Sequence, residues 1–485
     1  MICTLAQLLD YKANAPSISL FPTYWLTSKP VLHLANDINA GSAALEQIGV
    51  GVLFGGCQRI SNFNNTSSVF KSINLHIASD LTLDGKVVGT SDNKGLFLDY
   101  LPTTSQLASI DNIKLYGELT NSADYTGSLI GKSMSQRVNN SVERIKNYAT
   151  VTGVGHVGGI VGGIKARLLL AGGAGLPDLK PKCLLNTNTV KGESEVGGII
   201  GANRQCTQIH RSANKGDVIG TTAYSKNIGG LVGLAKANYS GDSGALNACR
   251  SFFKDSYNIG KLDVPNGGSN VGGILGFSED KAVDRSITPF LAPALLNGGN
   301  IVNTFSSGNI VNSSSLNFVG GLIGKVDDSL NAVYAGSKVG NTYAANDFWY
   351  SPYTSYTLDS VSINNAAFDT TVNSSLDAVG FYVPSSSIPS QICTSSRPIW
   401  EPSLSSSHSN KCALDIGTYN SGDTIPARSV VGDVQYTQAT GEQIYKTTAE
   451  LQSGTADGDL DQWDDVNIWR FDGPGNYPKL RWLNP

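Results

Sequence analysis

The sequence predicts an all-β solenoid, a fold of coils stacked along one axis. Three observations carry that expectation. First, near-copies of one seven-residue string recur six times, at Tyr125–Gly131, His156–Gly162, Glu195–Gly201, Asn227–Gly233, Asn270–Gly276 and Phe318–Gly324. Typical copies read HVGGIVG and NVGGILG; the first, YTGSLIG, has Thr126 and Ser128 where the others have a branched residue and glycine. The first glycines (127, 158, 197, 229, 272 and 320) are spaced by 31, 39, 32, 43 and 48 residues. Self-similarity at such a period marks a stacked architecture. Second, a weaker submotif of Asn, Gly and an apolar residue precedes most copies: Asn147–Gly153, Asn214–Gly220, Asn258–Leu262 and, with Ser in the Asn slot, Ser307–Ile310. Third, only 15 % of the chain is charged, while Gly reaches 54 copies. That is the profile of extracellular β-structure, not of a cytosolic enzyme or a disordered tail.

Each repeat reads as strand, turn, strand, turn. Period-2 alternation places Val157, Gly159 and Val161 on one side and Gly158, Ile160 and Gly162 on the other. Branched residues then fill the interior and glycines permit sharp bends. Stacked coils hydrogen-bond about 4.8 Å apart, and neighbours supply the core that no single coil can bury. Ile160, Ile199, Leu231, Ile274 and Leu322 should form one buried column. The 485 residues exceed what a single compact core holds, a limit that a solenoid escapes by growing along one axis.

Further anchors lie at both ends. Thr4–Leu8, Leu34–Asn39, Ile48–Gly49, Phe54–Gly56, Ile60–Phe63 and Gly95–Phe97 open the chain; Thr447–Leu451, Trp463, Ile468–Trp469 and Asn476–Leu480 close it. Together with the repeat, these residues resemble bacterial surface proteins carrying the GLUG repeat. The resemblance brackets nearly the whole chain and implies a right-handed parallel β-helix, displayed on or secreted from a bacterial surface as part of an adhesin. Some bacterial immunoglobulin-A proteases carry the repeat outside their catalytic domain, so only such an accessory part is expected here. The expected organisation is opening coils and an N-terminal cap (1–115), a repeat core (116–345), an irregular elaboration (346–430) that follows no pattern of the family, and closing coils with a C-terminal cap (431–485). Trp463, Trp469, Tyr477 and Trp482 are expected to cover the apolar end of the last coil.

Composition narrows the partners. A net charge of −4 and no long Lys/Arg cluster argue against nucleic acid. No apolar run approaches the ~18–20 residues that span a bilayer. The chain does not open with a basic and apolar leader, so export would need a preceding signal or another route. The 7 cysteines allow local bridges. Cys393 and Cys412 flank a Ser-rich loop, Cys3 and Cys57 share the opening coils, and Cys206 and Cys249 sit at similar offsets in successive repeats, leaving Cys183 over. Buried free thiols are the other reading. No cysteine or histidine spacing resembles a zinc site.

Several catalytic look-alikes fail on context. Gly241–Gly244 spells a serine-protease nucleophile loop, but the five histidines lack the flanking residues such enzymes need. Gly127–Ser133 imitates a phosphate loop with one residue too few between its glycines. No histidine is followed by glutamate, as zinc-protease chemistry requires. Asp457, Asp459 and Asp461 alternate as calcium loops do, but Ile468 stands where an EF-hand has its bidentate carboxylate. No column of carboxylates recurs at equivalent repeat positions, as a polysaccharide-cleaving β-helix would show. Neither an enzyme activity nor a cofactor or metal is therefore expected.

The insertions say more. Measured from each closing glycine, the extra residues always come next, at about 163–183, 234–250 and 277–299, so they should emerge side by side from one corner. In repeat proteins such insertions often build the binding surface. Arg167, Lys236, Tyr239, Asp242, Asp284, Arg285 and Phe290 offer aromatic platforms and charged edges for binding. Leu168–Leu170 and Leu291–Leu296 read equally as apolar cover for the solenoid edge. The expected function is that of a non-enzymatic adhesin at a bacterial cell surface or outside the cell, holding a host or environmental glycan or a surface protein, within a larger surface assembly. The alternatives are a polysaccharide-cleaving β-helix, including a phage-type depolymerase, and a structural stalk.

Overall fold

The computed structural model describes residues 1–14, 31–102, 109–134, 141–164, 180–203, 208–236, 252–279, 299–302, 304–311, 316–327, 361–364, 367–369, 371–372, 377–383, 435–436, 445–446, 448–453, 463 and 465–483. They form a right-handed parallel β-helix, with 35 strands in one continuous sheet. A complete coil has four runs. One coil contributes Ser141–Asn147, Thr150–Thr152, Gly155–Gly158 and Val161–Ile164. The next contributes Lys180–Asn186, Val190–Gly192, Ser194–Gly197 and Ile200–Asn203. All four pair in parallel, with Val151 opposite Val190, Val157 opposite Val196 and Val161 opposite Ile200.

The same sheet continues in both directions. Ile48–Asn65, Phe70–Gly89 and Ser109–Asn121 are long strands that pair with one another as the opening coils. Within 346–430, Val361–Asn364, Ala367–Asp369 and Asp377–Val383 pair onto Gly299–Val302, Phe305–Ser306 and Leu316–Asp327, so this stretch supplies another rung.

The expected inner column is present. Ile160, Ile199, Leu231, Ile274 and Leu322 are each 0 % exposed, and each backbone N–H from Ile160 to Ile274 donates to the carbonyl one coil on. The simple alternation through the motif is not. Val157, Ile160 and Val161 are all fully buried, because Gly159 and Ile160 form a bend between two short strands and the pleat does not run straight through. The glycines serve close packing. A Cβ on Gly158 would lie 2.0 Å from the Val161 carbonyl oxygen and 2.7 Å from the Gly201 nitrogen, so backbones of adjacent coils press together where any side chain would part them.

The submotif asparagines form an internal ladder. Asn147 donates to Asn186 (2.7 Å), Asn186 to Asn214 (2.7 Å) and Asn214 to Asn258 (2.8 Å), all with fully buried side chains. Each Nδ2 also donates to the carbonyl two residues on, which satisfies a backbone acceptor at the tight corner. Asn186 belongs to this ladder although it stands outside the motif copies read from the sequence. The rung after Asn258 is Ser306, not Ser307, because the sheet register pairs Asn258 with Ser306 and Leu262 with Ile310. The motif's second glycine is explained by the same ladder: a Cβ on Gly198 would meet Asn214 Cγ at 2.3 Å, and one on Gly230 would meet Asn258 Cγ at 2.4 Å.

The two ends differ from expectation. Thr4–Leu8 is not a coil: Leu5–Asn14 is an α-helix that lays Leu8 on the core. Thr4 caps it, accepting from the Gln7 N–H (3.2 Å), while Gln7 Oε1 accepts from the Thr4 N–H (3.2 Å), a capping box. At the other end, Thr448–Leu451 is also helical. Trp463, Trp469 and Leu480 pack sideways on Leu185, Ala213, Tyr257 and Phe305 rather than over the last coil. These four residues lie one above another on the outer side of successive first runs. Tyr257 and Phe305 stack at 5.1 Å and form an apolar wall that would otherwise face water. Burying it against two indoles, each removing on the order of 150–250 Å² of aromatic surface, explains why the closing segment doubles back. Trp482 Nε1 donates to the Arg211 carbonyl (2.7 Å) and anchors the far side.

Candidate functional site: the insertion corner

The fourth run of every repeat coil ends at one corner. Ile164, Asn203, Ala235, Ser278 and Val326 are in register, as are Lys236, Glu279 and Asp327. The segments that follow (165–179, 237–251, 280–298 and 328–360) therefore leave from stacked positions on one edge. Of the seven predicted binding residues, Lys236 is described. It lies at the last position of its strand and forms a partly buried ion pair with Glu279 of the next coil. Arg167, Tyr239, Asp242, Asp284, Arg285 and Phe290 lie outside the described residues.

Beside this corner runs a feature that sequence reading missed. The residue opening each motif (Tyr125, His156, Glu195, Asn227, Asn270 and Phe318) adopts a left-handed backbone with φ between 53° and 61°. L-residues avoid that region, so six in a row require a compensating interaction. Side-chain contacts along the axis supply it at three of the five steps. The Tyr125 and His156 rings lie parallel at 4.1 Å, His156 Nε2 is 2.9 Å from Glu195 Oε2, and Asn270 donates to Asn227 at 2.6 Å. Lys132 sits 4.1 Å from the centre of the Tyr125 ring, and Lys325 lies over both Phe277 and Phe318. The signal was in the sequence: six aligned first letters, none of them glycine at a position whose backbone suits glycine.

This rail gives the edge a rigid, chemically varied border: aromatic and cationic at the Tyr125 end, acidic at Glu195, amide at Asn227 and Asn270, aromatic again at Phe318. Among the described residues no group of three or more His, Cys, Asp or Glu side chains is placed to hold a metal ion. No helix among them is long and apolar enough to cross a membrane.

Three cysteines are among the described residues. Cys3, Cys57 and Cys183 are free thiols, so the expected Cys3–Cys57 bridge is not made. The stacking explains it. Ile2 and Phe54 both pair to the strand through Leu34, from opposite sides, which puts Cys3 and Cys57 about two rungs (~9–10 Å) apart. A disulfide needs Cα atoms within about 7 Å. Cys183 is the thiol expected to be left over, and burial raises its pKa to about 11. Cys206, Cys249, Cys393 and Cys412 lie outside the described residues.

No family model matches the chain, and no curated protein matches it. Among solved structures it is similar to a "putative immunoglobulin A1 protease" from Bacteroides ovatus, at 18 % identity and a TM-score of 0.41, over 54 % of this chain and 76 % of that one.

Proposed function

We propose that the chain is a non-enzymatic adhesin of the GLUG-repeat type, at work on a bacterial surface or outside the cell, that presents its inserted segments to a glycan or protein receptor. The observation that supports this reading is the common corner: Ile164, Lys236, Glu279 and Asp327 end runs on rungs of one edge, so the segments following them share a neighbourhood. A solenoid tolerates length at such a corner because closure entropy grows slowly with loop length. A stiff β-helix then acts as the frame, and the loops as the variable reader.

The test is to replace 237–250 and 280–298 with short Gly-Ser links and to measure melting beside binding to glycan and matrix-protein arrays. The trimmed chain should stay folded and lose adhesion. Replacing Tyr239, Arg285 and Phe290 with Ala should reproduce much of that loss. A folded, trimmed chain that still binds would sink the proposal, as would depolymerisation of an acidic polysaccharide by the parent protein.

A further inference from the structure

The outer face of the first run carries a second surface, on a different side of the coil from the insertion corner. Residues two apart on a strand point the same way, so Lys114 shares an outward face with Tyr116; Tyr148 follows the end of the strand that carries Lys146 and stacks on the Tyr116 ring. The sheet register puts Lys114 and Lys146 on adjacent rungs. Lys215 stands two rungs beyond Tyr148, one residue after Asn214 of the ladder. The three lysines thus follow the solenoid axis over about three rungs, ~14 Å. The closing segment forms one wall: the Trp482 ring lies 5.7 Å from Lys146 Nζ, held there by its bond to the Arg211 carbonyl.

Charge makes this strip unusual on a protein whose net charge is −4. Lys114, Lys146 and Lys215 form no ion pair with a described residue, whereas the nearby acids are engaged. Asp84 pairs with Arg59, Glu118 with Lys86, Glu143 with Lys182, and Asp472 with Lys479 and Arg470. The ammonium groups also disfavour one another. Burial first, and then Lys114, lowers the pKa of Lys146; burial, Lys479 and Lys146 lower that of Lys215. A row of like charges, two of them half-buried, is relieved by an anion that lies along it.

The ring geometry selects the kind of anion. Tyr116 and Tyr148 stack on each other at 4.6 Å with planes 11° apart, and Arg59 lies over Tyr116 at 5.8 Å. Both faces of Tyr116 and one face of Tyr148 are therefore taken, which leaves little platform on which bases of a single-stranded nucleic acid could stack. Duplex binding draws on some 6–10 phosphate contacts, more than three lysines supply. What the rings present outward is edges and phenol hydroxyls, which suit hydroxyl-rich chains. We propose that this strip binds a linear anionic polysaccharide laid along the solenoid axis, its carboxylate or sulfate groups on Lys114, Lys146 and Lys215 and its hydroxyls against Tyr116, Tyr148 and Trp482. This site is independent of the insertion corner and of the adhesin reading built on it.

The experiment measures binding of the full chain to polygalacturonate, heparin, neutral dextran and a DNA duplex, by affinity electrophoresis or calorimetry at two salt concentrations. The proposal expects salt-sensitive binding of polygalacturonate or heparin and none of dextran; whichever of the two binds tighter identifies carboxylate or sulfate as the preferred group. The triple substitution Lys114→Gln, Lys146→Gln, Lys215→Gln should weaken that binding at least tenfold. The substitution Lys261→Gln removes an ion-paired lysine from another run of the coil and should leave it unchanged. Melting curves confirm that both variants are folded; should the triple variant unfold, the single Lys114→Gln, at an exposed site, must still lower affinity at least threefold. Binding that is unaltered in these variants, an equal loss in the control, tighter binding of DNA than of either polysaccharide, or no polyanion binding at all would each overturn the assignment.

Discussion

Asn214 offers the sharpest check on what holds the coils together. Its fully buried side chain makes four hydrogen bonds: it donates to Asn258 Oδ1 (2.8 Å) and the Gly216 carbonyl (2.8 Å), and accepts from Asn186 Nδ2 (2.7 Å) and the Gly216 N–H (3.3 Å). Replacing it with Ala removes all four and strands several of the partners away from water. At about 1 kcal/mol for each lost bond, and more where a buried group is left unmade, the loss is about 4–6 kcal/mol. Asn147 begins the ladder and makes three such bonds, two as donor and one from the Ala149 N–H, so Asn147→Ala should cost about 3 kcal/mol. The double variant Asn186→Ala, Asn214→Ala should lose less than the sum of its singles by about 1 kcal/mol, because their shared bond is counted twice. Urea unfolding followed by circular dichroism gives the totals, and hydrogen exchange at Gly216 and its neighbours gives the local effect. An Asn214→Ala protein within 1 kcal/mol of the parent would refute the reasoning, as would an Asn147→Ala that costs the same or more.

Other outcomes follow from features already described. Ile274→Asp places an unpaired carboxylate in the inner column and should destabilise by several kcal/mol; a variant that melts like the parent would disprove the register. Trp469→Ala opens the indole pair (4.6 Å to Trp463) and should release the closing segment, at about 3–5 kcal/mol, which limited proteolysis after residue 448 would detect while the coils stay protected. Cys183, with its pKa raised to about 11 by burial, stays a neutral thiol through the physiological range and becomes nucleophilic only as pH rises toward that value. At pH 8 its alkylation by iodoacetamide should run about two orders of magnitude slower than that of a model cysteine peptide, and it should still be accelerating above pH 9. A rate that levels off near pH 8.5 would contradict this.

The coil interior was legible because its constraints repeat. Ile160, Ile199, Leu231, Ile274 and Leu322 occupy one slot in a string that the chain writes six times, and period alone aligns them. Asn186 was legible but overlooked: Asn186–Gly192 has the frame of Asn147–Gly153, with Val190 and Gly192 where that copy has Val151 and Gly153, and the register matches. The pleat through Val157–Val161 was misread because alternation assumes a straight strand, and a two-residue bend cancels it. The tryptophans of the closing segment announced burial but carried no address. Their wall is assembled from Leu185, Ala213, Tyr257 and Phe305, which no window of sequence contains together. Lys114, Lys146 and Lys215 stayed hidden for the same reason: each is an ordinary surface lysine until the stack lines them up.

The sideways docking of the closing segment also bears on how the molecule is completed. Coils touch mainly their neighbours, so a chain of this type can nucleate at several places and lengthen rung by rung. The Trp482–Arg211 bond instead joins positions 271 residues apart. It can form only after the rungs from Leu185 to Phe305 are stacked in register, because only then does the wall exist. Contacts of such sequence separation form slowly and reward the chain late. The segment thus acts as an inspector of the finished stack: a coil skipped or slipped by one rung shifts the wall, leaves the indoles without a seat and marks the faulty chain by an unlatched, protease-sensitive tail.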